Sequence, residues 1–187
     1  MEELNPLDLF KAIHERRSIR KFKREPLRDT DLRKILEAGR LAPPGGNLQP
    51  WYFIVVRHQE TKTTLAAAAD DQMFVADADT VIVALSDPAI SAAKLPYELS
   101  STRIPHKQDP IIAVEHMVLA ATALGYGTCW IGAFDQNEVK KILKVPENLE
   151  VIALLPIGIS EEQPPPSPRK AFTEIFFKES FGKPIDL

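Results

Sequence analysis

The stretch from Asp109 to Leu124 (Asp-Pro-Ile-Ile-Ala-Val-Glu-His-Met-Val-Leu-Ala-Ala-Thr-Ala-Leu) most limits the folds open to this chain. Asp109-Pro110 carries a cap-then-proline signature that opens a helix, and Gly125 and Gly127 close it. The helix is apolar on nearly every side, so it must be buried on most faces, in a core or under a second subunit. It does not read as a membrane span. Glu115 and His116 interrupt it, and Ile111 to Leu124 falls short of the roughly 20 apolar residues a bilayer needs.

The totals fit that expectation. At 187 residues, 44% apolar and 26% charged, the chain is most simply one globular domain with a core that needs no covalent staples. A net charge of −3 argues against a nucleic-acid binder that works by overall charge. Cys129 is the single cysteine, which excludes an internal disulfide framework and any multi-cysteine metal or iron–sulfur site. The acidic start, Met1-Glu2-Glu3, lacks the pattern of a signal peptide, and a cytoplasmic enzyme or binding domain is expected.

Punctuation along the chain predicts alternating helices and strands. Asn5-Pro6 reads as a helix start, with Leu7, Phe10 and Ile13 on one face and the basic run from Arg16 at its end. A second helix begins at Asp29 or Thr30 and stops at Pro43-Pro44. Trp51 to Val56 and Thr80 to Leu85 read as strands flanking a helix around Thr61 to Ala69. Ser86 to Lys107 has little periodicity and reads as a lid or long surface loop. Thr128 to Ile131 is expected as a short buried strand, and Phe134-Asp135-x-x-Glu138-Val139 as a capping box with a staple. Glu150 to Ile159 is the last core strand. Residues 1–160 thus form the core and 161–187 an arm.

The arm opens with Gln163-Pro164-Pro165-Pro166-Ser167-Pro168, an extended polyproline segment. Phe172, Ile175, Phe176, Phe177 and Phe181 follow, and these need a cover. Either the chain's own core or a partner subunit provides it, and a symmetric dimer exchanging its arms is the simplest form of the second option. Pro165-x-x-Pro168-Arg169 also has the form of an SH3-domain ligand.

Two further segments carry chemistry. Arg16-Arg17-Ser18-Ile19-Arg20 offers guanidinium forks that match phosphate oxygens two at a time, although a basic helix end also complements the macrodipole. Ala42-Pro43-Pro44-Gly45-Gly46-Asn47-Leu48-Gln49-Pro50-Trp51 offers bare backbone to a flat ring, and donors and acceptors from Asn47 and Gln49. It is otherwise a plain helix-to-strand turn. The two segments look like walls of one anion- and ring-binding pocket. Cys129 reads as core, and His14, His58, His106 and His116 show no metal-ligand spacing. No nucleophile elbow, Walker loop or GxGxxG is present, so the chemistry should come from a cofactor.

The ordered set of motifs resembles the nitroreductase family of FMN-dependent oxidoreductases. It comprises Arg-Arg-Ser-x-Arg, Ala-Pro-x-x-x-Asn-x-Gln-Pro-Trp, Gly-Tyr-Gly-Thr-Cys-Trp-Ile-Gly (125–132), Leu155-Pro156-Ile157-Gly158, and prolines followed by Arg169-Lys170. The resemblance implies an α+β, three-layer α/β/α sandwich with a mixed, mostly antiparallel sheet, and a homodimer with exchanged arms binding FMN at its interface. Arg16, Arg17, Ser18 and Arg20 would contact the FMN phosphate, ribityl and ring edge, with Arg169 and Lys170 closing on the phosphate. Pro44, Gly45 and Asn47 would come from the other subunit, and Gln72 would lie near the pyrimidine edge. Trp130, Ile131 and Gly132 would run along the flavin, with an N–H of Gly132 or Ala133 facing N5.

The implied reaction is hydride transfer from NAD(P)H through the flavin to a nitroaromatic, quinone or similar acceptor, with no acid–base side chain required. Alternatives are a reductive dehalogenase or flavin-consuming enzyme on the same fold, or a flavin-free interaction protein using its proline arm. Many relatives have serine where this chain has Pro44 or Gly45, so a backbone N–H of Gly45 or Gly46 would replace a side-chain contact.

Overall fold

A computed structural model describes residues 8–91 and 107–185. Its centre is strand β3 (Thr80–Ser86), in which every residue is buried. Such a run fits a strand covered on both faces. On one side β3 pairs antiparallel with β2 (Trp51–Val56), Phe53 opposite Ala84. On the other it pairs antiparallel with β5 (Glu150–Ser160), Val83 opposite Leu154. The register slips between Ala84 and Leu85, whose partners are Ala153 and Val151, so Ile152 is the extra residue of a bulge. Two short strands complete the sheet on β5: β1 (Phe22–Lys23), opposite Ser160 and Ile159, and β4 (Gly127–Thr128), opposite Gly158 and Ile157. The spatial order is β1-β5-β3-β2.

The alternation along β3 separates two helical layers. Val81, Val83 and Leu85 pack with α3 (Gln59–Ala68), α4 (Phe74–Asp77) and α7 (Gln136–Leu143), through Leu65, Ala66, Val75 and Val139. Ile82 and Ala84 pack with α2 (Asp29–Arg40) and α6 (Gln108–Ala123), through Ile35, Val114 and Met117. Gly39 allows that second layer to close, because a Cβ there would overlap the Met117 side chain. The architecture is the expected α/β/α sandwich. Its ladders are antiparallel, and the bridge from Ser18 to Thr128 is parallel.

Local details depart from expectation. Helix α1 (Leu9–Glu15) is capped by Asp8, whose carboxylate accepts the Lys11 N–H at 3.0 Å; Asn5, Pro6 and Leu7 lie outside the described residues. Phe10 and Ile13 do share a surface, but it is exposed, Phe10 by 82%. Asp109 is not the cap of α6. Lys107 holds that position and Asp109 lies in the first turn. The capping box at α7 is half made: Asp135 accepts from Asn137 and Glu138 N–H, but its own N–H donates to Ala68 O rather than to Glu138. The expected strand Thr128 to Ile131 is shorter, ending at Thr128, with a separate bridge from Ile131 to Leu154.

Of the expected lid, residues 86–91 complete β3 and form the turn-long α5 (Pro88–Ser91), and 92–106 lie outside the described residues. The arm runs without regular structure from 162 to α8 (Phe172–Ile175). Phe172, Ile175, Phe176 and Phe181 are exposed, and its aromatics stack on one another, Phe172 on Phe176 and Phe177 on Phe181.

Candidate active site

The chain leaves α1 at Arg16, whose backbone turns to the extended region. Arg17 stays at the helix end, its Nη1 donating to the carbonyls of His14 and Arg16 at 2.8 Å each. It caps carbonyls that the helix cannot satisfy itself. The next residues run beside β4: Ile19 N–H donates to Thr128 O at 2.8 Å, and Ile19 sits where a Cβ on Gly127 would come within 2.8 Å of its Cγ1. On the other flank the start of the arm holds the segment. Arg20 N–H donates to Glu162 Oε1 at 2.5 Å, and Glu161 N–H donates to Lys21 O at 3.0 Å.

These contacts form a cleft of about 520 Å³ lined by Arg16, Arg17, Ser18 and Arg20 on one side and by Pro164 to Ser167 and Arg169 on the other. The guanidinium groups of Arg16 and Arg20 make no hydrogen bond or ion pair among the described residues. Among the described residues Arg169 donates only to the carbonyls of Ser167 and Pro168. By contrast, Arg24, Arg28, Arg40 and Arg57 each pair with a carboxylate. The Glu162 carboxylate is held by the Arg20 backbone N–H rather than by a guanidinium group, and like charges gathered with no ion-pair partner among the described residues repel one another and attract an anion. Lys170 does not line this cleft.

Cys129 lies behind the cleft, 2% exposed. Burial pushes its thiol up, and Arg20, a hydrogen bond with Ser18 and Arg16 pull it back only in part. A buried thiol held protonated is packing, as expected.

The segment after Cys129 turns outward. Ile131 exchanges backbone hydrogen bonds with Leu154, at 2.9 and 3.1 Å, and its side chain is buried. That anchor leaves Trp130, Gly132 and Ala133 exposed, and the N–H groups of Gly132 and Ala133 have no partner among the described residues. Gln72, from the turn between α3 and α4, joins them through its Nε2, which donates to Ala69 O at 2.8 Å and Ala133 O at 3.4 Å. Arg16, Ser18, Arg20 and Arg169 thus line the cleft, and the Trp130 to Ala133 segment with Gln72 follows directly on Cys129, which Ser18, Arg20 and Arg16 reach.

The other predicted wall is elsewhere. Pro44 to Asn47 forms a tight 3₁₀ turn in which Gly46 and Asn47 both have positive φ, 56° and 57°. For Asn47 this is a costly conformation that its short polar side chain tolerates. The turn is tied to the start of α6, where Gly45 N–H lies 3.2 Å from both carboxylate oxygens of Asp109. The arginine cleft adjoins the end of α6, where Thr122 and Gly125 share a neighbouring groove with Arg17 and Ile19. The helix has 16 residues, about 24 Å at 1.5 Å per residue. The two segments are therefore not walls of one pocket within one chain, and Gly45 N–H is not the open donor expected of it.

Sequence reading missed two residues of this region, Asp109 as the holder of the turn and Glu162 as the holder of Arg20. Asp109 carried a misleading signal, that of a helix cap. Glu162 carried none.

The residues fit a phosphorylated, ring-bearing cofactor. Unpaired guanidinium groups suit the phosphate, and the open N–H groups of Gly132 and Ala133 suit a heterocycle edge. Comparison with known proteins places the fold among oxidoreductases. The Vibrio harveyi NADPH:FMN oxidoreductase, solved in complex with NAD+, superposes with a TM-score of 0.83 at 25% identity, covering 94% of this chain and 78% of that one. A nitroreductase family protein of Clostridium novyi superposes with a TM-score of 0.76 at 34% identity, covering 95% of this chain and 97% of that one. An Archaeoglobus fulgidus protein bearing the name NADH dehydrogenase/NAD(P)H nitroreductase is 35% identical over 160 residues, 83% of this chain and 87% of its own.

The class is thus a flavin-dependent oxidoreductase fold. The model of the Nitroreductase family matches residues 13–106 and 93–159, and the chain belongs to that family. It is an enzyme of oxidoreductase type rather than an interaction protein built on a proline arm. No helix among the described residues is long and apolar enough to cross a membrane.

Proposed function

We propose that this protein is an FMN-dependent NAD(P)H oxidoreductase that reduces nitroaromatic, quinone or related electrophilic acceptors, and that it works as a homodimer. The observation that carries the reading is the convergence on one cleft of the guanidinium groups of Arg16, Arg20 and Arg169, none paired with a carboxylate among the described residues; the Gly132 and Ala133 N–H groups, a few residues beyond Cys129, are also without a partner among those residues.

FMN bound there would supply two-electron chemistry, accepting hydride from the nicotinamide and returning it to the acceptor. The protein's part is binding, orientation and electrostatics. Arg16, Arg20 and Arg169 neutralise the phosphate, with Ser18 offering a hydroxyl and Lys170 charge at longer range. Gly132 or Ala133 N–H would donate towards N5, the backbone of Trp130, Ile131 and Gly132 would run along the ring, and Gln72 would supply an amide at the pyrimidine edge.

The separation within one chain supports a second copy. The turn bearing Pro44, Gly45 and Asn47 lies about a helix length from the arginine cleft, so if both face one flavin the turn is better supplied by a partner subunit. The exposed apolar surface supports this. Phe10 on α1 and Phe181 in the arm, 82% and 92% exposed, are the kind of groups a subunit interface covers.

The test is reconstitution. Purified protein should be yellow, release FMN on denaturation, elute as a dimer and oxidise NADH or NADPH only when an acceptor is present. A colourless monomer that does not take up FMN would refute the reading.

A further inference from the structure

We infer that Asp109 is a positioning residue for the flavin-facing turn. It takes up the Gly45 N–H so that the donors left to the cofactor are the Gly46 N–H and the Asn47 side chain. The inference rests on the FMN reading above but concerns a residue that reading does not use. Asp109 is 4% exposed, a costly place for a carboxylate unless it is compensated. No cation pairs with it among the described residues. Its compensation comes from the first turn of α6, where the helix dipole favours negative charge, and from Gly45 N–H, shared between its two oxygens at 3.2 Å.

The consequence for the turn is specific. Asn47 N–H donates to Pro44 O at 3.3 Å and Leu48 N–H to Gly45 O at 3.1 Å. With Gly45 N–H held by Asp109, the one backbone donor between Gly45 and Leu48 without a partner among the described residues is that of Gly46. Gly46 and Asn47 are both exposed, and both sit at positive φ. Gly46 adopts this conformation freely, but for Asn47 it is strained, and Asp109 ties the turn to α6 across 64 positions of sequence. Where the turn offers no serine hydroxyl, the fixed N–H of Gly46 takes its place.

The test compares Asp109→Ala, Asp109→Asn, Asn47→Ala and the double variant Asp109→Ala/Asn47→Ala, with FMN affinity read from quenching of flavin fluorescence. Asp109→Ala should weaken FMN binding about tenfold. Asp109→Asn, which keeps an acceptor oxygen, should recover most of that loss, a rescue that a requirement for negative charge would not give. In the Asn47→Ala background the Asp109→Ala effect should shrink to about twofold or less, because both act through one turn.

Unchanged affinity in folded Asp109→Ala, or losses that simply multiply in the double variant, would overturn the inference. Should Asp109→Ala not fold, amide exchange in the wild-type protein decides: Gly45 should be protected and Gly46 should exchange fast until FMN is added, and equal exchange at both would overturn it. Wild-type protein that takes up no FMN, with Gly45 still protected, would refute the cofactor reading while leaving the Asp109 contact standing.

Discussion

Tyr126 donates its hydroxyl to Asp31 Oδ2 at 2.9 Å, joining the turn before β4 to the first turn of α2 across 95 positions of sequence. Asp31 is 1% exposed, and Arg28 meets the same oxygen through Nε and Nη2 at 2.7 and 2.6 Å. Tyr126→Phe removes one donor from a buried carboxylate and keeps the ring. Unfolding free energy by chemical denaturation should fall by about 1.5–3 kcal/mol with little change in m. A loss under about 0.5 kcal/mol would mean that Arg28 and Lys34, the latter 3.5 Å from Oδ1, suffice.

The same carboxylate sets an acid limit on stability. Burial pushes the Asp31 carboxyl up, but the Tyr126 hydroxyl and the Arg28 guanidinium outweigh burial and hold it below the usual carboxylate range. The folded state therefore binds its proton less readily than the unfolded chain. Its contribution is complete above the unfolded value, about 3.9, and is lost as pH falls through the lower folded value. Between pH 6 and pH 3 the wild-type melting temperature should fall more steeply than that of Asp31→Asn; parallel curves would assign the acid limit to other groups.

Arg20→Ala should weaken FMN binding by about 1.5–3 kcal/mol, as expected for loss of a charge-assisted hydrogen bond. Arg40→Ala is the matched control, since Arg40 is exposed and paired with Glu37 at 2.6 Å, away from the cleft. Equal FMN affinity in both variants would remove Arg20 from the site.

Gly127→Ala should disturb the cleft from behind. Its new methyl would meet Ile19, and the displaced residue lies next to Arg20. Overpacking of this kind costs about 1–3 kcal/mol of stability, and FMN affinity should fall with it. Gly125→Ala provides the contrast: Gly125 has φ 84° and open space around it, so a side chain there strains the backbone without touching the cleft. Its melting temperature should drop while FMN affinity in the folded protein holds.

Truncation before Pro164 removes Arg169 and the exposed aromatics together. The shortened protein should lose flavin and dissociate to monomers by light scattering. A truncated dimer that keeps its full complement of FMN would place both the phosphate contact and the interface elsewhere.

Much of this was legible before any coordinates. Trp51–Val56, Thr80–Ser86 and Glu150–Ser160 announce themselves by β-branched and aromatic runs. The α2 helix, stopped by two prolines, and the Asp135 cap of α7 are likewise local signals. β1 was not legible, because two residues form a strand only where β5 offers a free edge. Helix α4 was missed for a similar reason: four residues carry no period, and it is the packing of Val75 and Ala76 that fixes them.

The amino-acid order by itself determined the repertoire: which segments form helix or strand, where guanidinium groups and turn amides cluster, and the family to which those motifs belong. Local propensity and side-chain chemistry act over a few residues, so they can be read along a line. Only the tertiary structure decided that Arg169 faces Arg16 and Arg20, that Arg17 both lines the cleft and caps its own helix end through Nη1, and that Asp109 holds Gly45 N–H. It also separated the two predicted walls by the length of α6. These relations depend on how distant strands pair and which helix faces they bury, and no short-range rule along the chain encodes that choice.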